Sequence, residues 1–175
     1  MRPDRQPPRH VVVVGLMGAG KSEVGRRLAA GLGWSWHDSD LDIEAVTGLT
    51  VRALGARDGI EAMHEVEARH LRDALAESQP SVISAAASTI EVPECRMAMA
   101  APDVAVVWLR ANPEVLARRF ASADHRPEFG PSPVAFLAEQ AARREPLLAS
   151  LDPIVVDVDA IDADEATARA MEALR

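Results

Sequence analysis

The stretch "VVVVGLMGAGKSEVGRRLA", residues 11–29, decides how the rest of the chain reads. Four consecutive valines are stiff at χ1 and favour a strand, and an uninterrupted apolar run suits a strand covered on both faces, as in a parallel sheet. "GLMGAGKS", residues 15–22, then matches G-x-x-x-x-G-K-[ST]. Gly15, Gly18 and Gly20 let backbone N–H groups turn inward without a Cβ clash. With Ala19 between them, these amides and the N-terminus of the following helix form a nest for an anion. Lys21 reaches toward β- and γ-phosphates, and the Ser22 hydroxyl suits Mg²⁺, a hard cation that prefers oxygen. A glycine-rich turn that merely joins strand to helix is the plain alternative. The valine strand before the motif and the amphipathic pattern after it supply the context that phosphate binding demands. The expected ligand is a nucleoside triphosphate, ATP, held by Gly15, Gly18, Ala19, Gly20, Lys21, Ser22 and Glu23. Glu23 is the odd member, because a carboxylate near phosphates is unfavourable unless it points away.

Working outward, further apolar runs rich in β-branched residues recur at residues 81–85, 104–109 and 153–158, with a shorter one at 34–37. Helical patterns fall between them. Lys21–Leu32 ends at Gly33, a good residue just past a helix. Residues 59–78 carry Ile60, Met63, Val66, Leu71 and Leu75 on one broad face. Residues 93–101 and 113–122 each start with a proline at a first-turn position, and 132–144 and 162–174 complete the set. Strands alternating with helices predict an α/β fold around a parallel sheet. Two segments fit the alternation poorly: residues 38–80 hold too many helices for one crossover, and residues 121–133 are rich in Gly and Pro. Insertions of this kind are where function tends to sit.

The whole chain has 175 residues, which fits one domain, and a net charge of −8. A general nucleic-acid binder needs a basic face, so nucleic acid is excluded as a partner. No run of 18 apolar residues is present, so no membrane helix is expected. Residues 1–10 carry no apolar signal core and read as a Pro/Arg-rich disordered tail. The one cysteine, Cys95, suits a reducing cytosol and excludes a zinc site built from several cysteines. The expectation is a cytoplasmic protein that is monomeric or weakly homo-oligomeric.

The match extends past the loop. "GLMGAGKSEVGRRLAAGLGWSWHDSDLDIEAVTG" resembles the N-terminal third of a shikimate kinase. The shared features are the Gly25-Arg26-Arg27-Leu28-Ala29 helix, Asp38-Ser39-Asp40 as a D-x-D, Ile43-Glu44, and Gly48. "VAVVWLRANPEVLARRF" resembles the fourth strand and the helix bearing an adenine-contacting arginine. "HRP", residues 125–127, resembles the Arg-Pro of a lid, and "RREPLL", residues 143–148, resembles an acceptor-binding segment. The resemblance covers residues 11–158. It implies a P-loop NTPase of nucleoside-monophosphate-kinase-like fold: a five-stranded parallel sheet flanked by helices, a substrate-binding segment at 38–66 and a lid at 121–133.

The resemblance also implies roles. Asp38 is similar to the family's magnesium-associated carboxylate, working beside Ser22. Asp40 is similar to the carboxylate that contacts the acceptor hydroxyl, where it can orient the nucleophile and accept its proton. The plain alternative for Asp40 is to cap and charge the next helix. Lys21, Asp40 and Arg126 form the expected catalytic set, Arg126 closing with the lid to stabilise charge on the moving phosphoryl group. Arg119 resembles the arginine that stacks on adenine, and Arg144 an acceptor-binding arginine whose planar guanidinium suits a carboxylate.

The chain departs from the family pattern on the acceptor side. Ala86, Ala87 and Ser88 stand where the family has three glycines. In "GIEAMHEVE", residues 59–67, Ile60 replaces a Glu, Met63 a Phe, and His64 an acceptor-binding Arg. Losing a charged hydrogen bond costs about 1.5–3 kcal/mol. No proline follows the last strand to hold adenine. The function implied is transfer of the ATP γ-phosphate, with Mg²⁺, to a hydroxyl of a small metabolite. Shikimate is the foremost named acceptor. Another sugar acid or polyol such as gluconate, or a regulatory ATP-binder without kinase activity, is the alternative.

Overall fold

The computed structural model describes residues 7–121 and 132–175. Residues 1–6 of the expected tail, and the expected lid with Arg126, lie outside the described residues. The described part of the segment read as lid belongs to its flanking helices.

Five parallel strands form one sheet in the order β2-β3-β1-β4-β5: β1 His10–Val14, β2 Ser35–Asp38, β3 Ser81–Ser84, β4 Val104–Arg110 and β5 Ile154–Asp157. The five-stranded α/β architecture expected above is present. β1 starts one residue inside the stretch read as tail. The Arg9 carbonyl already accepts from the Ser81 amide at 3.2 Å, and His10 is fully buried with its Nδ1 2.9 Å from Ser81 Oγ.

The valines alternate between two cores. Val11 and Val13 join Val82, Val107 and Leu109 beneath α1 Lys21–Leu32 and α8 Ala163–Ala173. Val12 and Val14 join Ile83, Val106 and Trp108 beneath α4 Ile60–Ala76 and α5 Pro93–Met99. Burial on both faces explains why β1 and β4 read as unbroken apolar runs. α1 lies close on β3. A Cβ at Gly25 would stand 2.2 Å from Ser84 Oγ, which bridges Trp36 Nε1 and the Lys21 carbonyl at 3.0 and 3.1 Å.

The overcrowded segment resolves into α2 Ser39–Thr47 and α3 Val51–Asp58 ahead of α4. Asp38 caps α2 and Thr50 caps α3, and Gly48, at φ 70°, closes α2. α6 spans Pro113–Ala121. α7 runs Pro133–Ala149, five residues beyond the expected end at Arg144, with Pro146 inside it. Proline removes one helical hydrogen bond, but Leu147 and Leu148 immediately after it pack on the second core, and their burial carries the helix onward.

Parallel register brings the loops that matter to one edge. Asp38 of β2 lies level with Ser84 of β3, and Ser84 with Val13 of β1. The chain therefore leaves β1 into the glycine loop, β2 into α2, and β3 into residues 85–88 at the same end of the sheet. A topological switch also falls here, since β1 has β3 on one side and β4 on the other.

Candidate active site

The loop is held in the conformation its glycines permit. Gly15, Gly18 and Gly20 all have positive φ, and a Cβ on Gly15 would stand 2.6 Å from the Leu109 carbonyl oxygen, a backbone atom with little freedom to give. Ala19 is buried, which seats the loop on the sheet, and Ser22 is exposed at the first turn of α1. Lys21 Nζ folds back to donate to the Leu16 carbonyl at 3.1 Å. Desolvation lowers the Lys21 pKa, opposed by the negative charges of Asp40 and Asp38. Glu23 turns away from the nest, as its charge requires. It accepts from Arg26 and Arg27, each at 2.8 Å, and these two bonds hold its pKa below the ordinary carboxylate value.

Asp38 and Asp40 divide the work at the start of α2. Asp38 is the cap: its Oδ1 accepts from the Asp40 and Leu41 amides at 3.2 and 3.3 Å. The capping alternative considered for Asp40 therefore belongs to Asp38, and the Asp40 carboxylate takes no part in the cap. Asp38 Oδ2 is buried without a hydrogen-bond partner. A buried carboxylate oxygen without a partner and an exposed serine hydroxyl are oxygen donors of the kind that suit a magnesium ion, which binds through one or two protein oxygens, water and substrate phosphates. Among the described residues no group of three or more His, Cys, Asp or Glu could hold a metal by itself. The Asp40 side chain is exposed at the start of α2, yet it feels both burial and neighbouring charges. Desolvation raises its pKa, the Asp38 charge raises it further, and Lys21 and His70 oppose.

The acceptor side gathers α4, the chain after β3, and α7. Ala86 and Ala87 are half-buried, and Ser88 is buried in a right-handed conformation. Asp152 is the one described non-glycine with positive φ. The three positions that replace glycines thus need no glycine backbone. Ser88 instead uses its side chain to donate to Glu67. Glu67 escaped the sequence reading. It is 6% exposed, three residues after His64 on α4, and desolvation raises its pKa despite the Ser88 bond. A carboxylate one helical turn from a site residue was the available signal. His64 is half-buried, and its field reaches Glu67. Arg144 is 11% exposed at its side chain and donates to Glu91 Oε2 at 3.0 Å, while its Nε is buried without a partner. Arg143 Nε lies 3.1 Å from the other Glu91 oxygen. A small cavity joins Gly15 and Leu16 to Ala86, Ala87 and Arg144, so the nest and the acceptor side share a wall. On the opposite flank Arg119 donates to the Val158 carbonyl just past β5.

A glycine nest at the end of a central parallel strand, with a lysine and two aspartates converging on it, defines a P-loop kinase of the small-molecule type. The comparisons agree. The family model described as shikimate kinase matches residues 17–175. A shikimate kinase of Paramagnetospirillum magneticum is 39% identical over 168 residues, 95% of this chain and 84% of that protein. One from Moorella thermoacetica is 33% identical over 168 residues, 96% of this chain and 95% of that protein. The solved structure of shikimate kinase from Acinetobacter baumannii in complex with shikimate superposes with a TM-score of 0.86 at 25% identity, covering 94% of this chain and 92% of that one. The chain belongs to the shikimate kinase family, whose members move phosphate from ATP to a hydroxyl group.

Proposed function

We propose that this chain phosphorylates shikimate: the γ-phosphate of ATP passes to a shikimate hydroxyl, leaving ADP. The reading rests on relatives named for that activity over nearly the whole chain and on one observation above the others. The negative charges of Asp40 and Asp38 act on Lys21 of the nest, which supports the reading that the cation that would meet phosphate and the carboxylate that would meet the acceptor serve one site.

In this account the amides of Gly15, Gly18, Ala19, Gly20 and Glu23, with the Lys21 ammonium, hold the β- and γ-phosphates. Ser22 and the unpartnered Asp38 oxygen would hold Mg²⁺, which when bound with ATP neutralises charge on the phosphate oxygens. Asp40 accepts the hydroxyl proton as the oxygen attacks phosphorus and the bond to ADP breaks; its raised pKa makes it a better base than an ordinary aspartate. Arg126 closes from the lid. Arg119 flanks adenine. Arg144 and His64, with Ala86, Ala87 and Ser88 forming the floor, grip the acceptor. The enzyme works in the cytoplasm, as monomer or weak homo-oligomer, without nucleic acid. Among the described residues no helix is long and apolar enough to cross a membrane.

The test is Asp40→Asn. The variant should bind ATP as the wild type does while shikimate phosphorylation falls by about 10²-fold or more, the scale of a lost general base. Unchanged turnover would remove Asp40 from the mechanism.

A further inference from the structure

The first turn of α2 is tied down from α4 and β2 by a cluster outside the nest. His70 Nε2 of α4 lies 2.7 Å from Asp42 Oδ2 of α2. The same oxygen accepts from the Asp38 amide at 3.2 Å and faces His37 Nδ1 at 3.6 Å. His37 Nε2 in turn lies 3.2 Å from Glu77 Oε2, at the end of α4. His70 is 14% exposed at its side chain, and its Nδ1 is buried without a partner, so the network puts the proton on Nε2, donating to Asp42. The chain of contacts runs from His70 to Asp42, to the Asp38 backbone, and through the Asp38 cap to the Asp40 amide. His70 also stands one turn beyond Glu67 and two beyond His64, so a single face of α4 meets both the acceptor side and α2.

We propose that His70 and Asp42 are a positioning pair that clamps the first turn of α2 to α4 and so sets where the Asp40 carboxylate points. The inference rests on the reading of Asp40 as the group that orients the acceptor hydroxyl. Neither His70 nor Asp42 touches substrate; both act through the turn. A helix as short as α2, with nine residues, has little intrinsic stability even when capped, and a carboxylate that must lie within hydrogen-bond reach of a hydroxyl loses rate steeply when displaced. The pair supplies the missing constraint.

The experiment combines shikimate kinetics, nucleotide binding and amide hydrogen exchange on wild type, His70→Leu, His70→Gln, Asp42→Ala and the double variant His70→Leu/Asp42→Ala. His70→Leu should lower kcat with shikimate by about tenfold, the scale of a lost hydrogen bond to a charged group, with ATP affinity unchanged, and the Leu41 amide should exchange faster by a similar factor. His70→Gln, which keeps a donor, should recover most of both. The double variant should be no worse than the poorer single one, because the two residues act as a unit. Unaltered kcat and exchange in His70→Leu, a His70→Gln as poor as His70→Leu, or additive losses would each overturn the pair. If wild type fails to phosphorylate shikimate, the proposed function falls instead. Hydrogen exchange at Leu41 then decides the pair alone: faster exchange in His70→Leu that His70→Gln restores upholds it, and unaltered exchange removes it.

Discussion

At the scale of single residues, the sequence resemblance to shikimate kinases leaves a departure at His64, where the family pattern implies an acceptor-binding arginine. A neutral imidazole offers one donor where a guanidinium offers a planar fork. His64→Arg should therefore tighten shikimate binding by about ten- to a hundredfold, the equivalent of one charged hydrogen bond, with little change in ATP affinity. Steady-state KM values for both substrates check this. A KM for shikimate that stays put would place His64 outside the acceptor's reach. Glu67, buried one turn away, would also face the new cation and help hold it. Single residues also mark the limit of what sequence discloses. The loop spacing made Lys21 and Ser22 readable, because only backbone amides and two side chains are involved and all are contiguous. The Ser88–Glu67 contact and the Arg144–Glu91 pair join residues 21 and 53 positions apart. No local pattern encodes such a contact; only the fold brings the partners together.

At the scale of elements, the close fit of α1 on β3 carries the loop. Gly25 faces Ser84 of β3, and its lack of a side chain lets Ser84 and Trp36 hydrogen-bond beneath the helix. Gly25→Ala would drive its Cβ onto Ser84 Oγ and displace either that side chain and its hydrogen bonds or α1 itself, costing about 1–3 kcal/mol in the manner of overpacked cores. It should also weaken nucleotide binding, because the first turn of α1 is one wall of the nest. Chemical denaturation and nucleotide titration measure the two effects, and full stability in the alanine variant would show that the helix can shift freely. Most elements were legible because their signals are local: unbroken β-branched runs for β1 and β4, proline starts for α5 and α6, Gly33 at the end of α1. α7 was not. Pro146 is a strong local stop, and the burial of Leu148 that overrides it is a tertiary effect. β1 likewise begins at His10 because that side chain finds Ser81 on a strand 71 residues away.

At the scale of the whole molecule, the same histidine ties stability to pH. Burial lowers the His10 pKa below its ordinary value of 6.5, helped by the charge of Arg9 and opposed by Glu77 and Asp103. The folded chain thus refuses a proton that the unfolded chain accepts. Stability from this group is complete above pH 6.5 and is lost as pH falls from there through the folded pKa. Urea midpoints should decline over that window, and His10→Gln, whatever its own starting stability, should lack this part of the decline. An identical acid limb in both would assign the effect elsewhere.

The parallel sheet brings three strand ends and their loops to one edge, and the account stands on what happens there. The most direct measurement is ADP release by the purified wild-type protein with MgATP and either shikimate, gluconate or no acceptor. The account predicts sustained release with shikimate, well above the other two. Equal slow release in all three, or release driven by gluconate instead, would contradict it.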